Sequence, residues 1–197
     1  MFILGLTGSI GMGKSTTAKL FAEAGIAVHD SDMAVHDLYS GSGASLIEKK
    51  FPGTIVNGKV DRAELSGRVI NDPRAMARLE AIVHPHVAQA REKFLRDARD
   101  RGDLIVVLDI PLLYEIGGDR DVDAIVVVTA PDAIQKERVL ARPGMTEEKY
   151  ERILARQIPD SEKRARAHFL VTTDKGIESA RRQVESVLRA ISHVQNE

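Results

Sequence analysis

Gly8-Ser9-Ile10-Gly11-Met12-Gly13-Lys14-Ser15 is the stretch on which the reading of this chain turns. It matches G-x-x-x-x-G-K-[ST], the pattern of a phosphate-binding loop, and the chemistry needs these residue types at this spacing. Glycines let the backbone turn tightly and aim successive N–H groups at one cluster of oxyanions. Lys14 reaches β- and γ-phosphates as a point charge, Ser15 presents a hydroxyl to Mg²⁺, and the helix that begins here adds its positive end. A true phosphate loop sits between a buried strand and a helix. Phe2-Ile3-Leu4-Gly5-Leu6-Thr7 precedes it as an apolar run that reads as a buried strand. Thr16 to Ala24 follows as a helix closed by Gly25. The expectation is nucleoside triphosphate binding.

Further along, Ile26-Ala27-Val28 reads as a second strand and ends in His29-Asp30-Ser31-Asp32. Leu104 to Leu108 is a third, ending in Asp109; Ala124 to Val128 is a fourth; Phe169-Leu170-Val171 is a fifth. Continuous apolar strands separated by helical stretches imply an α/β fold, with a parallel sheet covered on both faces. Over seventy residues with little strand character separate the second and third strands. Within them, Asp72-Pro73 reads as an N-cap and a proline at N1, opening a helix to about Val83. His84-Pro85 is expected to break it, because the residue before proline avoids helical geometry, and a second helix is expected to run to Arg101. Thr146-Glu147-Glu148 starts another helix, with acids where the helix dipole favours them, and Gln157-Ile158-Pro159 ends it. The last helix runs from about Ile177 to Ser192, with Val184, Val187, Leu188 and Ile191 at core spacing.

The 197 residues carry 28 Lys+Arg against 29 Asp+Glu, a formal charge of −1. A general nucleic-acid coat needs a clear basic excess, so that class is excluded. Zero cysteine excludes a disulfide scaffold, a Cys-ligated zinc site and thiol catalysis. No apolar run approaches the roughly 20 residues that cross a bilayer. The opening lacks a basic n-region, and glycines and a lysine soon interrupt it, so it does not read as a signal peptide. The expected location is the cytoplasm. No membrane, nucleic-acid or obligatory protein partner is indicated.

A phosphate loop alone does not separate a switch, a motor and a kinase. A GTPase switch needs Asp-x-x-Gly and Asn-Lys-x-Asp, and neither occurs. Large motors need more chain. A small-molecule kinase remains, and it requires an orienting carboxylate, a magnesium-associated acid and mobile cations. Asp30 and Asp32 follow the second strand at the carboxyl edge of the sheet, where open α/β sheets bind ligands. Helix capping would use an aspartate there equally well. Asp109 follows the third strand in the place of a Walker-B acid, or else caps a loop. Arg138 and Arg142 precede Pro143-Gly144, a breaker pair suited to a lid hinge; a surface charge is the alternative for each. From Lys136 to Arg166 there are 9 basic and 6 acidic residues, which suits either a lid or a solvated helical face. His84-x-His86 lacks a third ligand and makes a poor metal site.

These motifs together resemble the dephospho-CoA kinase family over essentially the whole chain. Gly5 to Ser15 resembles that family's phosphate loop, and Asp30-Ser31-Asp32 its Asp-Ala-Asp-like motif. His84-Pro85 matches its His-Pro pair. Asp109-Ile110-Pro111-Leu112-Leu113-Tyr114-Glu115 is similar to its Asp-x-Pro-Leu-Leu-Phe-Glu signature, with Tyr114 in place of Phe. Gln135-x-x-Arg138-x-x-x-Arg142 and Arg156-Gln157 resemble its lid region. Ala167-His168 and Thr172-Thr173 stand where the family often has Ala-Asp and then Asn.

The resemblance implies a three-layer α/β/α sandwich whose five parallel strands run in the order 2-3-1-4-5. It implies a core of residues 1–32, 102–135 and 167–197, a helical acceptor-binding insertion at 33–101 and a lid at 136–166. It further implies that ATP is held by Gly8, Gly11, Met12, Gly13, Lys14, Ser15 and Thr16, with Arg138. Dephospho-CoA would meet Asp32, His84, Asp109 and Leu112, and Mg²⁺ would lie near Ser15 and Asp109. Asp32, Lys14 and Arg142 would be catalytic, Asp32 orienting the ribose 3′-hydroxyl and taking its proton. Two rivals stay open from the residues alone: a nucleoside or nucleotide kinase with another acceptor, and an ATP-binding module without turnover.

Overall fold

The apolar runs become strands, and the segments between them helices, in a computed structural model that describes residues 1–41, 43–70 and 72–194. In chain order the elements are β1 (Phe2–Thr7), α1 (Lys14–Glu23), β2 (Ala27–Asp30), α2 (Ser31–Ser40), α3 (Ala44–Lys50), β3 (Ile55–Val56), β4 (Lys59–Val60) and α4 (Arg62–Val69). Then come α5 (Pro73–Arg101), β5 (Ile105–Asp109), β6 (Ala124–Thr129), α6 (Asp132–Leu140), α7 (Glu147–Leu154), α8 (Asp160–Ala165), β7 (Phe169–Thr172) and α9 (Ile177–Val194). The chain divides into two compact units, one of residues 1–29 with 98–197 and one of residues 30–97.

The first unit is built on a five-stranded parallel sheet in the order β2-β5-β1-β6-β7, which is 2-3-1-4-5 counted over its own five strands. Every residue of β5 and β6 is buried, as continuous Val/Ile runs in a doubly covered sheet should be. On one face Leu4, Leu6, Val107, Val126 and Val128 pack against Leu20 and Phe21 of α1 and Val184, Val187 and Ile191 of α9. On the other, the Asp109–Glu115 loop folds close over the sheet. A Cβ on Gly5 would stand 3.2 Å from Leu113 and from Val122, so only glycine fits there without displacement. Register sets what meets at the carboxyl edge: Leu4 lies opposite Val107 and Leu6 opposite Asp109. The Ile110 N–H then donates to the Leu6 carbonyl at 2.9 Å, which keeps Asp109 beside the start of the phosphate loop.

The second unit has its own core of Leu38, Ile47, Phe51, Val60, Leu65, Val69, Ala75 and Leu79. Two findings there differ from the sequence expectation. First, α5 is a single helix of 29 residues with Pro85 inside it, not two helices broken at His84-Pro85. Its start is as expected, with the Asp72 carboxylate accepting from the N–H groups of Arg74 and Ala75 at 2.9 and 3.1 Å. A proline inside a helix removes one backbone hydrogen bond and costs about 3 kcal/mol. Packing of Ala75, Met76, Leu79, Ile82 and Val83 into the unit's core holds the turn just before Pro85 helical regardless. Second, β3 and β4 form an antiparallel hairpin with Ile55 opposite Val60. Asn57 and Gly58 both have positive φ, 50° and 75°, as a type I′ turn demands.

Among the described residues no helix is long and apolar enough to cross a membrane.

Candidate active site

The residues from Gly8 to Gly13 form an open turn between β1 and α1, and glycine is required at three of its positions for three reasons. A Cβ on Gly8 would lie 2.6 Å from the Val128 carbonyl oxygen of β6. Gly11 has φ +80°, and a Cβ there would lie 2.5 Å from Val139. Gly13 caps α1 with φ +94°. The Met12 N–H closes the turn on the Ser9 carbonyl at 3.2 Å, and the Met12 side chain is fully buried. Ser15 and Thr16, in the first turn of α1, are exposed. A helix start followed by exposed hydroxyls is what an oxyanion cluster binds.

Lys14 and Asp109 meet above this turn. The Lys14 ammonium lies 2.5 Å from a carboxylate oxygen of Asp109, whose side chain is 3% exposed. The pair joins the start of α1 to the carboxyl end of β5. Ser15 and Asp109 offer hard oxygen donors, the set that suits magnesium, which takes one or two protein oxygens and completes its shell with water and phosphate. The donor chemistry fits the cation that the sequence implies.

The residues expected to form a lid, 136–166, lie on α6, α7 and α8 and the turns between them, all in the first unit. Arg138 donates to the Thr173 hydroxyl and carbonyl, each at 2.8 Å, and reaches the Gly11 carbonyl at 3.5 Å. The Thr173 hydroxyl in turn donates to the Met12 carbonyl at 2.8 Å. Thr173 belongs to the stretch that departs from the family pattern, and here it ties Arg138 to the back of the phosphate loop. At the other end of that stretch, the His168 ring accepts from the Ile125 N–H at 3.2 Å and extends the β6–β7 pairing. Arg142 is exposed on the turn after α6. Other cations of this stretch are engaged within the unit: Lys163 with Glu115 at 2.8 Å, Arg164 with Asp160 at 3.0 Å and Arg166 with Asp119 at 2.9 Å. Arg166 also stacks 4.1 Å over the Tyr114 ring. Several of the basic residues between 136 and 166 are thus paired with acids of the same unit.

Sequence reasoning gave no task to Gln135, Gln157, Glu115 or Lys163. The Gln157 carbonyl oxygen accepts from the Ile10 N–H at 3.2 Å, and the Gln135 amide donates to the Ile10 carbonyl at 2.8 Å. Glu115 accepts from the Ile158 N–H at 2.9 Å while paired with the fully buried Lys163. The Lys163 contact is an ion pair more than an aligned hydrogen bond. Burial pushes the Glu115 carboxyl up, but the Lys163 ammonium and the Ile158 N–H outweigh this and hold it below the usual carboxylate range. The quoted motifs contain Gln135, Gln157 and Glu115 but do not show what these residues hold, because their partners lie far along the chain.

Asp30, Asp32 and His84 belong to the second unit. Asp30 is the N-cap of α2, its carboxylate accepting from the N–H groups of Asp32 and Met33 at 2.9 and 3.1 Å. That capping task leaves Asp32, exposed in the first turn, as the aspartate not committed to the helix end. His84 is exposed on α5. A groove of about 390 Å³ between α3 and α5 is lined by His86, Pro85, Lys49 and Lys50 among others. Leu112, in the first unit, is 41% exposed.

Comparison with known proteins finds relatives that span nearly the whole chain. A family model described as dephospho-CoA kinase matches residues 2–179. The dephospho-CoA kinase of Mesorhizobium japonicum is 60% identical over 188 residues, covering 95% of this chain and 95% of that one. The crystal structure of TT1252 from Thermus thermophilus superposes with a TM-score of 0.83 at 32% identity, covering 96% of both chains. A dephospho-CoA kinase structure from Campylobacter jejuni shares the fold, with a TM-score of 0.64 at 24% identity over 96% of each chain.

Proposed function

Because the chain belongs to the dephospho-CoA kinase family, we infer that its phosphate loop, its buried aspartate and its lid serve one reaction, transfer of the ATP γ-phosphoryl group to dephospho-CoA. The acceptor is the ribose 3′-hydroxyl, the products are coenzyme A and ADP, and the reaction is the final step of coenzyme A synthesis. The observation that carries this reading is the Lys14–Asp109 contact between the start of α1 and the carboxyl end of β5. It places a cation and an acid side by side at the mouth of the loop, where a triphosphate tail ends.

In this reading the amides from Gly11 to Thr16 bind the phosphates, with Gly8 giving the turn its close approach to β6. Arg138 braces the loop through Thr173 and would help hold the nucleotide. Ser15 and Asp109 would hold Mg²⁺, which when bound neutralises charge on the phosphate oxygens. The 3′-oxygen attacks the γ-phosphorus, and the bond to the β–γ bridging oxygen breaks, leaving its electron pair on ADP. Asp32 aims the hydroxyl and accepts its proton. The transition state is loose, so Asp32 acts chiefly by positioning. Lys14 stabilises the equatorial oxygens, and Arg142 joins it as the lid closes and excludes water. His84, Leu112 and the helical residues 33–101 receive the acceptor. We place the reaction in the cytoplasm, and it calls for no nucleic-acid or obligatory protein partner.

A coupled ADP-release assay with dephospho-CoA, adenosine, AMP and shikimate as acceptors tests the reading. ADP should form quickly with dephospho-CoA alone. Preference for another acceptor, or intact ATP binding without acceptor-dependent ADP, would remove it.

A further inference from the structure

Ile10 is the one residue of the phosphate loop whose two backbone polar groups are both taken by side chains from distant parts of the chain. Its N–H donates to Gln157 Oε1 at 3.2 Å, and its carbonyl accepts from Gln135 Nε2 at 2.8 Å. Neither amide orientation is arbitrary, since a backbone N–H can only donate and a carbonyl can only accept. The Tyr150 hydroxyl donates to Gln135 Oε1 at 3.2 Å, a contact compatible with the same orientation. Gln135 is 4% exposed and Tyr150 6%, so this branch is nearly dry, and a broken link in it leaves a polar group unsatisfied.

Each glutamine is itself held. Gln135 sits on α6, where its backbone carbonyl would be 3.0 Å from a Cβ on Gly11, so helix and loop touch directly. Gln157 is followed by Ile158, whose N–H is gripped by Glu115, and Glu115 is paired with buried Lys163. The two anchors therefore come from separate elements of the first unit, one on α6 and one just before α8. The peptide groups on both sides of Ile10 are immobilised before the amides that follow it meet a ligand. Loop amides bind oxyanions well only when their directions are set in advance.

We propose that Gln135 and Gln157 are positioning residues that clamp Ile10 from two sides and so preset the phosphate loop. They touch no reacting atom and act through the Ile10 backbone. The consequence for affinity rests on reading residues 8–15 as the ATP site; the clamp itself does not.

The test uses the different chemistry of the two clamps. In the nucleotide-free protein, hydrogen exchange of the Ile10 amide should speed up about tenfold or more in Gln157→Leu. It should stay as in the parent in Gln157→Glu, because a carboxylate still accepts. At position 135 the atom in use is a donor, so Gln135→Glu and Gln135→Met should both weaken ATP binding about tenfold, read as Kd by titration. Dephospho-CoA affinity should be unchanged in the same two variants. Unaltered Ile10 exchange in Gln157→Leu, or equal loss of protection in Gln157→Leu and Gln157→Glu, overturns the clamp. Unaltered ATP Kd in both position-135 variants overturns the preset loop. If the exchange pattern holds while the parent protein fails to phosphorylate dephospho-CoA, the clamp stands and the functional reading falls.

Discussion

The Lys14 ammonium stands 2.5 Å from the Asp109 carboxylate, between the start of α1 and the carboxyl end of β5, with the acid nearly sealed from solvent. A bond of this kind fixes the loop lysine at a known point on the sheet edge. It also makes Asp109 the acid that shares the lysine's charge with an incoming phosphate. Asp109→Asn keeps the shape and removes the charge. Turnover should fall about 100-fold, measured by coupled ADP release at saturating substrates. An unchanged rate would make Asp109 a structural partner of Lys14 and nothing more.

Asp30 and Asp32 should respond differently to the same change. Asn caps a helix as well as Asp, so Asp30→Asn should leave turnover and melting temperature near the parent values, and Asp30→Ala should cost about 1 kcal/mol of stability. Asp32→Asn should keep ATP affinity and lose turnover by about 100-fold or more. Steady-state rates beside ATP titrations separate the two residues, and normal turnover in Asp32→Asn would take Asp32 out of the mechanism.

Arg142 is exposed on the turn that follows α6. If lid closure brings its charge to the transferring phosphoryl group, Arg142→Ala should lower turnover about 1,000-fold, as loss of a mobile arginine does in related chemistry. Dephospho-CoA binding measured without ATP should hardly move. Equal losses in both quantities would place Arg142 in ground-state binding instead.

Glu115 gives a dependence on pH. Against burial, the Lys163 ammonium and the Ile158 N–H hold its carboxyl below its ordinary value of 4.5. The folded chain therefore binds fewer protons there than the unfolded chain as the pH approaches that value from above. The stabilisation is present above the unfolded value and is lost as pH falls through the lower folded one. Urea midpoints of the parent and Glu115→Gln, taken from pH 7 to pH 3, should differ at neutral pH and converge at the acid end. Parallel curves would mean that the Lys163 pair contributes nothing to folding.

Much of the fold could be read locally. Apolar runs such as Ala124–Thr129 mark buried strands because they are short, rich in β-branched residues and bounded by turn signals, as strands of a doubly covered sheet are. The Asp72 cap and the Gly25 stop are likewise local, each completed within a few residues. The β3–β4 hairpin is equally legible, since Asn57-Gly58 between Val56 and Lys59 is a strong turn signal that stands against the expectation of little strand character there. Pro85 misled for the opposite reason. Its local preference is real, and the packed face of α5 overrides it.

By itself, the order of amino acids determined the phosphate loop, the strands around it and the acids that follow them, because backbone preference and side-chain period act over a few residues. Tertiary structure alone decided that Asp109 would face Lys14, 95 positions away, and that Gln157 would hold Ile10, 147 positions away. Those meetings depend on strand register and on how helices pack over a sheet. Both are set by the summed burial of many residues, and no short motif encodes that sum.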